Sequence, residues 1–423
     1  MSLATDLFCL LAAFLVTGRP VEGGFTVESE TNLRSYLLET YSTSVRPDVT
    51  TVVNMSFNLV SINFVDMKTE EFSVSGWWSL KWMDDRLNWK NTTWSGIPVM
   101  QVLPEKVWTP SLVVDNSVND LSAINEDTIP IRVRSDGQVT WNPPGIIVTS
   151  CDMVLSYFPF DTQQCLLSVT SAGYTIQELN LAVQNGGVSL EYFSENGEWD
   201  LLSTSYGRTE YEEDDYSYAK VSLYFNLERR PVYYGLNTIL PVIVNSLLIP
   251  LVFLMPNESG EKIGFCLTSL LAYVVILTLV TQDLPTSAKT TSLLGIYIAT
   301  VMVMAGVSVF LAIYSLHLYH LADEQQVPDW VARLTRVARS FSFLCRKKQQ
   351  VHPTKLPAGH VPMSAIGDRE KVISNELDNL SELSQVEVIT WITVATTYDS
   401  FFFYLYSAAI VSISLGFTLV LIS

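Results

Sequence analysis

Two groups of residues in this chain of 423 could do chemistry: a pair of cysteines and a polar stripe inside an apolar helix. Cys151 and Cys165 enclose thirteen residues, DMVLSYFPFDTQQ, and can oxidise to a closed ring. The ring carries Phe158, Pro159, Phe160 and Asp161, an apolar tip where a soluble protein normally places polar residues. Such a tip is expected to press against apolar surface. The second group lies in EKIGFCLTSLLAYVVILTLVTQD, residues 261–283, where steps of four and three select Gly264, Thr268, Leu271, Val275, Thr278 and Gln282 on one helix face. That face is small or polar at its ends and apolar in the middle. Phe265, Leu270, Val274, Ile276 and Leu277 make an opposite face expected to pack on other helices or lipid. A polar stripe in a membrane helix is costly unless it lines water. Copies of this helix around an axis would line a pore, with Glu261 attracting cations at one end and rings of Leu271 and Val275 forming a dewetting gate. The alternative is a packed membrane anchor in which Thr268 and Thr278 bond to backbone carbonyls.

Other candidates are weaker. The run Glu210-Tyr211-Glu212-Glu213-Asp214-Asp215 could coordinate Ca²⁺ or attract a cation, or simply form a solvated loop tip. His317 and His320 have the spacing of a metal pair, but no Cys or carboxylate stands beside them, and a helix end at a membrane interface accounts for them. No nucleophile with its base, phosphate-cradling glycine loop or zinc framework is present in the sequence. No metal site, cofactor or enzymatic activity is expected.

The elements that must position these residues follow from composition and periodicity. Residues 5–17 form a short apolar stretch, too short for the roughly 20 residues of a span, and read as a secretory signal within 1–23, with a first membrane helix as the alternative. Between 24 and 231 there are 28 acidic and 13 basic residues, and short period-two apolar runs such as TVVNMSF from Thr51 and FSVSGWW from Phe72. About ten strands in an immunoglobulin-like antiparallel β-sandwich are expected there, preceded by a helix over 30–40. Sequons at Asn54 and Asn91 fit an extracellular location, and Cys151 and Cys165 are the two cysteines left in that region to pair in an oxidising compartment. Four apolar segments follow, roughly 232–255, 261–282, 292–320 and 396–422, each long enough to cross a bilayer, forming an all-α membrane domain. Residues 321–395 then form a cytoplasmic loop, because 333–355 hold seven basic residues and no acid. Within that loop 352–367 is expected to be disordered and 369–394 to form an amphipathic helix, and both chain ends lie outside. The domains are therefore a signal at 1–23, a sandwich at 24–231, spans at 232–320, a loop at 321–395 and a last span at 396–423. The acidic outer domain (net charge of the chain −18) favours cations and repels nucleic acid, which is not an expected partner.

The FPFD-bearing cysteine ring, TWNPPGI at 140–146, the Trp82, Arg86 and Trp89 of WMDDRLNW, ERRP at 228–231 and SGEK at 259–262 together resemble the Cys-loop pentameric ligand-gated ion channels. The chain is most similar to the cation-selective branch, the nicotinic acetylcholine and serotonin type 3 receptors. The resemblance implies a plasma-membrane channel of this subunit and four others, identical or different. A small-molecule agonist would bind at subunit interfaces, the spans would meet membrane lipid, and monovalent cations would permeate, with Ca²⁺ as a further candidate. It implies coupling through Phe158, Pro159, Phe160, Asp161, Arg229 and Pro285, and selectivity at Glu261. Carried onto this chain, the agonist site comprises Trp77 on the complementary face and, on the principal face, Asp115, Ala172, Tyr174, Tyr218 and either Tyr211 or Tyr216. Ala172 and Asp115 stand where the family places aromatic rings, and the vicinal cysteines of acetylcholine-binding subunits are missing. Loss of the central ring forfeits a cation–π contact of roughly 2 kcal/mol. The expected agonist is therefore neither acetylcholine nor serotonin in the usual pose, or this subunit offers only its complementary face; the alternative to a conducting subunit is a non-conducting or auxiliary subunit or binding module with a degenerate principal site. Gly264 replaces a hydroxyl-bearing residue of the family and widens the inner mouth.

Overall fold

The computed structural model describes residues 26–90, 92–118, 122–283, 291–321, 326–343 and 389–422. The expected signal, Asn91, Pro285, the segment 352–367 and most of the 369–394 helix lie outside them. The chain divides into two compact units, with the break between Pro231 and Val232.

The first unit opens with α1 (Val27–Leu38), which starts earlier than its apolar spacing predicts because Thr26 sets the N-terminus by accepting the Ser29 N–H at 3.1 Å. Among the described residues twelve strands follow: β1 (Thr51–Asp66), β2 (Glu71–Asn88), β3 (Val99–Val102), β4 (Leu112–Val114), β5 (Ser122–Ala123), β6 (Ile131–Arg134), β7 (Asp136–Trp141), β8 (Pro144–Ser150), β9 (Thr162–Ser171), β10 (Leu179–Ser189), β11 (Trp199–Glu213) and β12 (Tyr216–Arg229). One sheet runs β10-β1-β2-β7-β6-β3 with β8 also on β2, and the other runs β11-β12-β9-β4-β5. Short strands such as β4 and β5 are too brief to register as alternation, which is why the sequence suggests a lower number. Pairing is antiparallel apart from β1 with β10, which run parallel from Thr51 opposite Leu179. Alternate residues point inward, as in the buried Val53, Met55, Phe57 and Leu59 of β1 and the buried Ala219, Val221, Leu223 and Phe225 of β12.

Among the described residues of the second unit four segments are long and apolar enough to cross a membrane: Val232–Leu254, Lys262–Gln282, Leu293–Tyr319 and Trp391–Leu421. The first is not one regular helix. A π-helical stretch, Gly235–Ile239, precedes α2 (Leu240–Leu248), and a 3-10 turn, Pro250–Leu254, follows it. Pro241 and Pro250 lack the N–H that a continuous α-helix would use, so the ladder changes type around them. The remaining helices are α3 (Lys262–Asp283), α4 (Leu293–Tyr319), α5 (Asp329–Phe343) and α6 (Trp391–Ile422).

Three sequence expectations change here. Helix α6 begins at Trp391 rather than 396, because Trp391, Val394 and Ala395 are buried together with Leu318 of α4 and Val331 of α5. Helix α5 was not expected as an element, since its arginines dominate the composition; its buried positions Val331, Ala332, Thr335 and Ala338 have helical spacing. The packing face of α3 is not the greasy one. Lys262, Cys266, Ser269, Tyr273 and Val280 are the buried residues, whereas Val274 is 42% exposed. Ser269 and Tyr273 are buried because they have partners on the first span: the Ser269 hydroxyl donates to Asn245 Oδ1 at 3.0 Å and the Tyr273 hydroxyl to the Val242 carbonyl at 3.3 Å.

Candidate functional site

In the sandwich, the face of β4, β9 and β12 gathers three of the agonist-site candidates, Asp115, Tyr211 and Tyr218. The Asp115 N–H, just after β4, donates to the Ser168 carbonyl of β9 at 3.1 Å. Lys220 of β12 lies opposite Thr170 and Ser222 opposite Ser168, so Ser168, Thr170, Lys220 and Ser222 share one face. The Lys220 ammonium forms an ion pair with the Asp115 carboxylate at 2.5 Å. The other carboxylate oxygen, Asp115 Oδ1, and the Ser168 hydroxyl are both buried without a hydrogen-bond partner.

Tyr211 and Tyr218 lie directly opposite each other on β11 and β12, and their rings stack at 5.4 Å and 23°. The Tyr211 hydroxyl is 3.1 Å from Thr170 Oγ1, so Tyr211, rather than Tyr216, reaches the β9 face. Desolvation, then the carboxylate of Glu213, pushes the Tyr218 phenol above its ordinary pKa. Tyr216 is 58% exposed at the hairpin tip, where Asp214 and Asp215 adopt positive φ and the acidic run turns. Ala172 lies past the end of β9, and Gly173, at φ 84°, turns the chain. Tyr174 is therefore not one pleat along a strand from Ala172, as alternation predicts. Its ring meets Trp108 edge-on at 6.5 Å, and its carbonyl accepts from the Ser171 hydroxyl.

Trp77 belongs to the other sheet, where its ring stands 5.1 Å from Tyr192 and borders an open groove with Val60, Pro144 and Ile146. A single chain thus carries the Trp77 face and the Lys220 face on different sheets. The Trp82, Arg86 and Trp89 group serves the core. Arg86 donates to the fully buried Asp84 through Nε and Nη2, both at 2.8 Å, and Tyr41 donates to Asp84 at 2.6 Å. Burial and this bond to Asp84 raise the Tyr41 phenol far above its usual range. Asn54 is exposed on β1 and open to modification.

Cys151 and Cys165 form a disulfide. Closing about fifteen residues contributes on the order of 3 kcal/mol in the chain-entropy model. The apolar tip divides: Phe158 and Pro159 are buried, and Phe160 is 46% exposed. Phe158 turns inward because the Arg229 guanidinium stands 5.3 Å from its ring. Arg229 is 2% exposed and donates to Asp161 from Nε at 2.8 Å and Nη2 at 3.2 Å, to Glu198 at 2.9 Å and to the Met67 sulfur at 2.8 Å. Its guanidinium also lies 4.0 Å over Trp199. Five of the six coupling candidates are thus described, and Asp161, Phe158 and Arg229 form one buried cluster.

On α3 the candidate stripe is a single exposed face: Glu261 just before the helix and Gly264, Thr268, Leu271, Val275, Thr278 and Gln282 are all exposed. Thr268 donates to the Gly264 carbonyl at 2.8 Å and Thr278 to the Val275 carbonyl at 2.7 Å, as the packed-anchor alternative requires. They do so, however, on the side away from the packing face. Lys262, one residue from Glu261, turns inward and donates to Asp399 of α6 at 2.7 Å and Asn257 Oδ1 at 2.9 Å; the Asn257 amide donates to Asp399 at 3.0 Å. His317 and His320 sit exposed at the end of α4. Among the described residues no three His, Cys, Asp or Glu side chains are grouped to hold a metal ion.

Sequence reasoning missed Lys220 and the Lys262–Asp399 pair. The signal for Lys220 was available: it lies two residues from Tyr218 in an alternating strand, hence on the same face.

Residues 30–231 match the model of the neurotransmitter-gated ion-channel ligand binding domain, and residues 238–387 match that of the neurotransmitter-gated ion-channel transmembrane region. The chain is 28% identical to the neuronal acetylcholine receptor subunit beta-4 of Homo sapiens over 69% of this chain and 59% of that one. It is 29% identical to the neuronal acetylcholine receptor subunit alpha-6 of Mus musculus, over 80% and 69%, and 29% identical to the acetylcholine receptor subunit delta of Gallus gallus, over 80% and 70%. The chain thus spans less than two thirds of the length of the human relative.

Proposed function

Because the chain belongs to the neurotransmitter-gated ion-channel family, we propose that it is one subunit of a pentameric, cation-selective, ligand-gated channel of the plasma membrane. The observation that carries this reading is the continuous exposed stripe on α3, opposite a packing face that has its own polar partners. In a ring of five, Leu271 and Val275 close a dewetting gate, and Glu261 concentrates cations at the inner mouth. Agonist binds between the Lys220 face of one subunit and the Trp77 face of the next. Its signal reaches the gate through the Phe158–Asp161 tip, Arg229 and the Pro285 linker. The signal segment, the glycosylated Asn54 and Asn91, and outer positions for both termini belong to the same reading.

Leu271→Thr hydrates the apolar ring that Leu271 would form, so cells expressing this variant are expected to pass a spontaneous cation current that wild-type subunits do not. Identical silence of both proteins at the cell surface, alone and with co-expressed acetylcholine receptor subunits, would remove the pore assignment. In the Leu271→Thr background, Glu261→Ala is expected to lower cation over chloride permeability; an unchanged reversal potential would move selectivity elsewhere.

A second reading is favoured by one observation, the Asp115–Lys220 ion pair, which fills the face where a ligand amine would sit. In that reading the subunit conducts but offers only its Trp77 face, to a different neighbour. Homomeric complexes then remain silent to agonist, and heteromeric ones respond.

A further inference from the structure

We propose that Lys220 is a built-in cation: its ammonium takes the place on Asp115 that the ammonium of a small ligand would take, so this face is already occupied without ligand. The proposal rests on reading the β4–β9–β12 face as the agonist site.

The residues that share this face with Lys220 have the chemistry of a small-cation site. Asp115 supplies the anion, and its carboxylate sits with one oxygen on Lys220 and the other, Oδ1, buried without a partner. Thr170, opposite Lys220, presents a hydroxyl that also touches the Tyr211 hydroxyl, and Tyr211 stacks on Tyr218. The two side chains are 30% and 24% exposed, so the pair is more shielded than an ordinary surface salt bridge. A tethered ammonium also has a high effective concentration, in the millimolar range or above for short flexible links, which a dilute external cation does not match.

The consequence is a latent cation site. Removing the lysine charge leaves Asp115 as a half-buried carboxylate with no counter-charge, a costly state that a small monocation relieves by entering. If the pair instead only clamps β4 to β12 across β9, its removal weakens the sandwich and creates no affinity.

The test uses the full-length protein in nanodiscs with tetramethylammonium as probe, measured by calorimetry. Lys220→Met and Lys220→Gln are expected to bind the probe at least about tenfold more tightly than wild type. Lys220→Arg, which keeps the charge, is expected to match wild type, and Asp115→Asn combined with Lys220→Met to lose the gained binding. Lys220→Gln retains a donor to Asp115 and so guards against a Lys220→Met that fails to fold. Folded neutral variants that bind no tighter than wild type would overturn the proposal, as would a double variant that binds as well as the single one. Spontaneous current in the Leu271→Thr variant is read separately. Current without gained binding removes this inference and leaves the channel reading, and gained binding without current does the reverse.

Discussion

Replacing Asp399 with alanine is expected to cost about 3–5 kcal/mol of stability in the helical unit, the usual penalty for leaving a buried charge without its partner. Lys262 is 1% exposed, and its ammonium has Asp399 and Asn257 as its ligands at 2.7 and 2.9 Å. Without Asp399 the ammonium keeps a neutral amide oxygen, and the Asn257 N–H loses its acceptor. Thermal unfolding of the detergent-purified protein, followed by size exclusion, should show a large drop in midpoint or no folded peak. Lys262→Met together with Asp399→Leu removes both charges and is expected to recover most of the loss, since apolar pairs of similar volume often replace buried ion pairs at little cost. A double variant no better than Asp399→Ala would mean that the site depends on the polar network itself. Asn257 also begins a sequon, Asn257-Glu258-Ser259, but its amide is buried in a hydrogen bond to Asp399 and is not presented for glycosylation.

Arg229→Gln is the second large effect. It would leave Asp161, 3% exposed, with the Gln163 amide as its remaining side-chain donor and would take the guanidinium off the Trp199 ring. The expected cost is again about 3–5 kcal/mol, because the carboxylate stays buried while its counter-charge goes. Surface expression and resistance to limited proteolysis measure it. Arg229→Lys keeps the charge but not the planar fork that spans Asp161 and Glu198, and should fall between wild type and Arg229→Gln. Wild-type expression and protease resistance of Arg229→Gln would show that this cluster does not hold the sandwich.

The two kinds of period in the chain made its architecture legible. Alternation marked the long strands, and apolar length marked the spans, because both follow from burying side chains on a regular backbone. The stripe on α3 was legible for the same reason, as a face defined within one helix. The packing face of that helix was not. Lys262, Ser269 and Tyr273 look like poor core residues until partners from other helices are present. The division of the FPFD tip was not legible, since nothing local to the ring reveals that Arg229 draws Phe158 and Asp161 inward. Gly173 hid the end of β9 in the same way, as a single φ angle ended the alternation that had been extended to Tyr174.

By itself the sequence determined a β-sandwich that carries a disulfide ring, four spans after it, and a helix with one polar stripe. Each of these depends on residues near one another in the chain, or on compartment. The tertiary structure decided which charges are paired. Lys262 meets Asp399 across 137 positions, and Lys220 meets Asp115 across two intervening strand pairings. Whether a charged side chain is a ligand group, a buried brace or a solvated surface depends on how much water and which counter-charge it keeps after folding. That is a property of contacts between distant segments, and on the Lys220 face it decides whether the site stands open or filled.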